Sequence, residues 1–372
     1  MKVVYISSSI IPSTLANSIQ VMKMCEAFTK LGHKVVLIAR RAKEKINLTN
    51  NIYEYYGIKN TFPILFLPWP IPKLGGFIYS LFCIQNLFKS DIDIIYTRSI
   101  YGALSALICK LPYIYEAHCP PHNQIHYLLQ KVLFKSIFFK HLVVISNVLK
   151  QEYERLYPCL RYKRIIVAHD GADPPNEQDE SPKFLIKWPG RPGVLQVGYI
   201  GNLYPGKGVE VIVKLASLLP DMDFHIIGGT EKDVYYWKKR FNYPNLFFHG
   251  FIPPSQTQQY RAACDILLLP AQYKVATDSK GKGDISRWMS PLKLFEYMAS
   301  RRAIIASNLP TISEVLQNEY NALLVKPDSI DEWIQALQRL SKDKLLREKL
   351  ANNAFIDLIN KYTWYNRARN VL

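Results

Sequence analysis

At 372 residues, 49% hydrophobic and 21% charged, the chain has a globular composition and is too long for one compact core, so two domains are expected. A formal net charge of +17 favours anionic partners, whether nucleic acid, an acidic membrane face or a phosphorylated substrate. Six scattered cysteines with no Cys-x-x-Cys pair argue against a zinc ribbon or a disulfide scaffold and point to reduced thiols in a cytoplasmic setting.

The chain opens directly on a strand pattern, "KVVYIS" (2–7), so no secretory leader is expected. A helix over 18–31 follows, with Met22, Cys25, Ala27, Phe28 and Leu31 on one face and Gly32 as its stop. Further strands are expected at 34–40, 93–97, 113–117, 142–146 and 165–173, with helical segments between them. The longest apolar run, 62–88, is broken by four prolines and a Gly-Gly pair, and its unbroken part is too short to span a bilayer. It reads as a buried or interfacial segment.

Residues 174–193 hold five prolines and an acidic run, the composition of a linker. A second alternating series follows, with strands at 194–201, 224–229, 246–251, 266–270, 303–307 and 322–325. Strands alternating with helices imply parallel sheets covered on both faces. Two such series give two doubly wound α/β domains, with a cleft expected between them. Ligands in such folds bind beyond the carboxyl ends of the strands, so the loops there are where chemistry is sought.

In "GYIGNLYPGKGVEVIVKLA" (198–216), Gly201 ends a strand, and Gly206 and Gly208 flank Lys207 just before a helix. A glycine turn at a helix amino end exposes N–H groups to an anion, and Lys207 adds a full charge. The plainer alternative is a solvated loop lysine in a glycine turn; the spacing is not that of a Walker loop. "SPLKLFEYMA" (290–299) repeats the logic, with Ser290 as cap, Pro291 as first helical residue and the Leu292 and Lys293 amides free to meet phosphate. Glu296, one turn in, can accept two vicinal hydroxyls, as a ribose presents; otherwise it complements the helix dipole.

These stretches, with "HGFI" (249–252), "AACDILLLP" (262–270), "AIIASNLPTISEVL" (303–316) and "NALLVKPDS" (321–329), occur in the order found in family-4 retaining glycosyltransferases of the GT-B fold. The chain resembles that family over about 194–340, and more loosely in its N-terminal half. The resemblance implies two Rossmann-like domains facing a central cleft. Residues 1–178 would be the acceptor domain, with a final helix (356–372) packing back on it, and 193–355 the nucleotide-sugar domain. It implies Lys207 on the donor diphosphate, Glu296 on the ribose, the main chain at Phe251 and Ile252 on the base edge, and Asp265 and Pro270 shaping the floor. It also implies a role for His118, just past the 113–117 strand, close to the transferred sugar. His122, His126, "YTRS" (96–99) and Ser146-Asn147 are weaker candidates.

Two positions depart from the family pattern. Asn202 stands where an Arg is usual, and Trp288 where the first Glu of a paired signature is usual, so both belong to the expected donor site. The contacts of that Glu are expected to be replaced by Asp284 or backbone, or to be absent, and Lys293 and Arg287 are possible further cations.

Residues 131–142 mix Lys131, Lys135 and Lys140 with Phe138 and other apolar residues, and read as a basic, aromatic helix suited to an anionic bilayer face. A core helix with solvated lysines is the alternative. The expected activity is hexosyl transfer, with retention, from a nucleotide sugar to an acceptor hydroxyl, a lipid-linked saccharide being the natural acceptor in surface polysaccharide or glycolipid assembly. The expected location is the inner face of the cell membrane. No cofactor is expected, since no G-x-G-x-x-G follows the first strand. No metal is expected either, since the Asp-x-Asp pairs at 91–93 and 221–223 read as turns before strands. The rival readings are a sugar-nucleotide epimerase or hydrolase on the same architecture, and a degenerate transferase-like subunit without catalysis. A nucleic-acid binder has the charge but no recognised motif.

Overall fold

The computed structural model describes residues 1–42, 51–69, 74–88, 91–175 and 188–372. The expected linker at 174–193 lies mostly outside these residues. The chain divides into two units, Met1–Asp170 with Trp364–Leu372, and Gly171–Thr363.

The first unit runs β1 (Lys2–Ile11), α1 (Ala16–Lys30), β2 (Lys34–Arg41), α2 (Ile52–Tyr56), β3 (Ile64–Leu67), α3 (Gly75–Leu87), β4 (Ile94–Thr97), α4 (Ile100–Ile108), β5 (Tyr113–Ala117), α5 (Gln124–Lys135), β6 (Phe139–Val144), α6 (Asn147–Leu156) and β7 (Ile165–Val167). Its seven strands form one sheet in the order β3-β2-β1-β4-β5-β6-β7, with every pairing parallel. Strands buried on both faces explain the near-continuous apolar runs; all five residues of β5, Glu116 among them, are buried.

The second unit runs β8 (Leu195–Ile200), α7 (Val209–Leu218), β9 (Met222–Ile227), α8 (Glu231–Arg240), β10 (Leu246–Gly250), α9 (Thr257–Ala262), β11 (Ile266–Leu269), α10 (Leu292–Ala299), β12 (Ala303–Ser307), α11 (Pro310–Ser313), β13 (Leu323–Val325), α12 (Ile330–Lys342) and α13 (Lys344–Asp357). Its sheet is also all parallel, in the order β10-β9-β8-β11-β12-β13. Helix α12 shows how the core is made: Trp333, Ala336, Leu337 and Leu340 recur on one face and are buried, while Ser329 caps its first turn. In both sheets the strand order reverses beside the first strand, between β1 and β4 and between β8 and β11. Those are the crevices where doubly wound folds hold ligands.

Four sequence expectations are corrected here. The helix read over 131–142 is two elements. α5 stops at Lys135, Ser136 takes an extended conformation, and Phe139 begins the buried strand β6, so Phe138 and Lys140 are not on a helix with Lys131 and Lys135. The single final helix is also broken. α13 gives way to a π-helical turn, Leu358–Tyr362, Thr363 is extended, and only α14 (Trp364–Val371) belongs to the first unit. Asp223 is no turn residue; it is a buried strand residue of β9 whose carboxylate binds Arg191 at 2.7 Å. The apolar run 62–88 contains an unforeseen strand, β3, at the edge of the first sheet. Among the described residues no helix is long and apolar enough to cross a membrane.

Candidate active site

In the second unit the loops leaving β8 and β11 are stitched together at the crevice. The Gln272 N–H donates to the Gly206 carbonyl at 2.9 Å and the Ala276 N–H to the Pro205 carbonyl at 3.0 Å. Gly206 and Gly208 have φ of +79° and +88°, and a Cβ on either would lie 1.9 Å from a carbonyl oxygen, of Lys274 and Pro270 respectively. Only glycine fits both the left-handed backbone and that approach. Gly208 is the cap of α7, so Lys207 is held at that helix's amino end.

Lys207 is half-buried; its N–H donates to the Tyr204 carbonyl at 3.0 Å, while its ammonium has no carboxylate or hydrogen-bond partner among the described residues. Burial lowers its pKa to about 8. Lys293, in the first turn of α10, reaches the same place. Its Nζ sits 3.8 Å from the centroid of the Tyr199 ring, and a Cβ on Gly201 would come within 2.5 Å of it. Burial, and then the charge of Lys207, push the Lys293 ammonium well below the ordinary lysine range, with Glu296 acting the other way. Lys293 thus stands over Gly201, close enough to Lys207 for the two charges to interact, and each lysine lies at a helix amino end, an arrangement suited to a polyanion.

α10 starts one residue later than the sequence suggests. Pro291 takes the cap position, Leu292 is first in the helix, and no side chain caps it; Ser290 is buried. Leu292, Leu294, Phe295, Tyr297 and Met298 are buried, while Glu296 is half-exposed. Its Oε2 lies 3.6 Å from Nη1 of Arg261, on α9. Arg261 is itself fixed by Thr257 Oγ1 at 2.8 Å and Ser300 Oγ at 3.0 Å. Glu296 is therefore an oriented carboxylate, with no protein partner on Oε1 among the described residues. The sequence reading missed Arg261; a buried arginine at 8% exposure in a short helix is the signal that it orients something.

Other predicted residues serve the frame. The Asn202 carbonyl accepts from the Tyr199 hydroxyl at 2.7 Å. Asp265 accepts from the Gln196 N–H at 2.8 Å, fixing β8 against the strand beside it. The Pro270 carbonyl accepts from Gln272 Nε2 at 2.8 Å. Asp284 is taken up by the N–H groups of Ser286 and Val275, at 2.9 and 3.1 Å, which organise its loop. Arg287 lies over the Trp288 ring at 5.0 Å, pairing two of the candidates with each other. Phe251 is exposed and Ile252 half-buried, just past Gly250, whose carbonyl accepts from Gly228 N–H at 2.7 Å.

His118 belongs to the first unit. Its Nε2 is 2.6 Å from Oε1 of Glu116, and burial, then the charge of Arg98, lower its pKa to about 4. His122 contacts Cys119 Sγ at 3.5 Å, and His126 packs edge-on to Tyr101. Ser146 caps α6 through the Leu149 N–H. Lys131 and Lys135 are exposed on α5, Lys140 is exposed on β6, and Phe138 is half-buried. Beside Lys131 and Lys135, α5 also exposes Ile125, Leu128 and Val132.

Two family models match, "Glycosyltransferase Family 4" over residues 18–175 and "Glycosyl transferases group 1" over 186–356. A putative teichuronic acid biosynthesis glycosyltransferase of Bacillus subtilis, TuaH, is 27% identical over 47% of this chain, a match spanning only 44% of that relative's length. An uncharacterized glycosyltransferase of Methanocaldococcus jannaschii, MJ1069, is 26% identical over 80% of this chain and 78% of its own. The N,N'-diacetylbacillosaminyl-diphospho-undecaprenol alpha-1,3-N-acetylgalactosaminyltransferase of Campylobacter jejuni is 23% identical over 78% of each chain. Among solved structures, sucrose-phosphate synthase of Thermosynechococcus elongatus superposes with a TM-score of 0.72 at 15% identity, covering 99% of this chain and 97% of that one. Anabaena HepE in complex with UDP superposes at 0.71, also at 15% identity, covering 99% and 98%. The two matched regions and the shared two-sheet architecture give one conclusion: the chain belongs to the family-4 glycosyltransferases of the GT-B fold.

Proposed function

We propose that the chain transfers a hexose-type sugar, with retention, from a nucleoside-diphosphate sugar to a hydroxyl of a lipid-linked saccharide. The observation that carries this reading is the pair Lys207 and Lys293, two ammonium groups brought to one glycine loop without a protein carboxylate on Lys207. A diphosphate supplies the missing counter-charge. Glu296, steadied by Arg261, takes the ribose hydroxyls, and the backbone at Phe251 and Ile252 the base edge. Asn202 and Trp288 line the same donor site, and His118 serves beside the transferred sugar.

In the reaction the anomeric C–O bond to phosphate breaks and a bond to the acceptor oxygen forms on the same face. The acceptor proton passes to the departing diphosphate oxygen. The protein's work is to stabilise charge growing on that diphosphate, through Lys207, Lys293 and the two helix amino ends, and to orient both substrates. No metal is assigned a role, the electrophilic part falling to the lysines. In the expected result, Lys207→Ala and Glu296→Ala each lower turnover at least ~10-fold without loss of the folded state, using whichever nucleotide sugar stabilises the protein. Wild-type rates in both would remove the site.

The lipid-linked acceptor and a place on the inner membrane face are supported by the diphospho-undecaprenol substrate named for the Campylobacter relative and by the exposed side of α5. There Ile125, Leu128 and Val132 are exposed, with Lys131 and Lys135 beside them. Each lysine near an anionic surface adds about 1 kcal/mol. Lys131→Glu with Lys135→Glu should therefore weaken flotation with phosphatidylglycerol vesicles by at least ~10-fold; undiminished flotation would exclude this face.

A further inference from the structure

Glu116 is a carboxylate in the middle of the first sheet, 1% exposed, inside a strand that reads Tyr-Ile-Tyr-Glu-Ala. Such a group persists only when several donors meet it. Its Oε1 accepts from Gln20 Nε2 at 2.8 Å and from Arg367 Nη2 at 2.9 Å, and faces His118 Nε2 at 2.6 Å. Its Oε2 accepts from the Tyr96 hydroxyl. Arg367 comes from α14, nearly 200 residues after β7, and is 3% exposed. Its remaining donors are committed too: Nε donates to the His169 carbonyl at 2.9 Å, and Nη2 also to that of Ala168 at 3.2 Å. The orientation of Gln20 follows from chemistry. Its Oε1 accepts from Arg98 Nη1 at 2.7 Å, so the amide nitrogen must be what faces Glu116.

We infer that Arg367 is a positioning residue for His118, holding the imidazole, through the Glu116 carboxylate, in the one tautomer with hydrogen on Nε2 and the lone pair on Nδ1. An ionised carboxylate accepts only, so the ring nitrogen facing it must donate. Glu116 stays ionised because Arg367 is beside it; its pKa is lowered well below the ordinary range despite burial, by Arg367 first and then by His118 and Arg98. The last helix of the chain thereby sets the state of a histidine that stands two-thirds of the sequence earlier. Its catalytic meaning rests on the reading of His118 given above.

Tyr5 on β1, Tyr96 on β4, Arg98 after β4, Asp170 after β7 and Arg367 on α14 are the titratable or charged groups that face the Glu116–His118 pair. Of these, Arg367 is the cation in direct contact with the carboxylate. Removing it leaves a buried carboxylate beside an imidazole, and the pair then takes up a proton in the neutral range.

The test is long-range proton–nitrogen NMR of the full chain labelled with 15N-histidine, with His118 assigned by loss of its signals in His118→Gln. The wild type should show protonated Nε2 and unprotonated Nδ1 from pH 5.5 to 8, with no titration. Arg367→Met should bring a His118 titration into that window, its midpoint raised from about 4 by at least ~2 pH units, and Arg367→Lys should lie between. A wild-type His118 carrying its hydrogen on Nδ1, or exchanging between tautomers, overturns the inference without any variant being needed. Arg367→Met spectra identical to wild type also overturn it. Separately, His118→Ala turning over a nucleotide sugar at the wild-type rate would remove the reading of His118 at the sugar, and with it the catalytic meaning, whatever the spectra show.

Discussion

The two units treat charge in opposite ways. In the first, Glu116, Gln20, Tyr96, Arg98, His118 and Arg367 form a buried network in which the carboxylate answers the guanidinium directly. In the second, Lys207 and Lys293 lie close enough to interact, the pKa of Lys207 lowered by burial and that of Lys293 by burial and then by the charge of Lys207, with Glu296 raising the latter. The first arrangement is preorganised: its groups are held before any substrate arrives. The second carries an electrostatic penalty that a bound polyanion would relieve. Stability and function are therefore aligned at the first site and opposed at the second.

That contrast can be broken by neutralising each site in turn. Glu116→Gln leaves the buried Arg367 without its counter-ion, and should cost about 3–5 kcal/mol in urea unfolding. A loss below ~1 kcal/mol would mean that the network is not a coupled buried pair.

Lys207→Met should act with the opposite sign. A lysine whose folded pKa of about 8 lies below the unfolded value of about 10.5 costs stability wherever it is protonated in both states, and the cost fades as pH rises from 8 to 10.5. The variant should thus gain about 1 kcal/mol at pH 7, after discounting for solvent screening, and lose that advantage by pH 10.5. A destabilised Lys207→Met would show that the ammonium is compensated and the contrast false.

The smallest effect sharpens the comparison within the second unit. Glu296→Gln should change stability by less than about 1 kcal/mol, because its pair with Arg261 is only partly buried. Its loss should therefore appear in turnover and not in unfolding.

Much of the fold was legible because its signals are local. The β5, β11 and β12 segments are short apolar runs between turn residues, and α1 and α12 show clean helical spacing. The failures occurred where tertiary context overrode local pattern. "KVLFKSIFFKHL" has helical spacing throughout, yet Ser136 turns extended and Phe139 pairs into the sheet between β5 and β7, which only the packed sheet decides. The final segment looks like one helix because the π turn at Leu358–Tyr362 leaves no mark in composition.

At the candidate site, Lys207, Glu296 and Gly201 were readable because glycines and a helix start surround them. Arg261 and Arg367 were not, since each meets its partner across a long sequence separation. Glu116 did carry a signal: a carboxylate inside an otherwise apolar five-residue strand requires buried donors, which a reading centred on His118 passed over.

The central claim is that Lys207 and Lys293 form the diphosphate clamp, and titration calorimetry with UDP and GDP tests it most directly, on wild type and on Lys207→Met/Lys293→Met, at pH 7 and pH 9.5. The account predicts that wild type binds one of the two at pH 7, that affinity falls ~10-fold or more at pH 9.5 as Lys207 loses its proton, and that the double variant binds at neither pH. Binding by the double variant with wild-type affinity, or binding by wild type that is indifferent to this pH change, would contradict it.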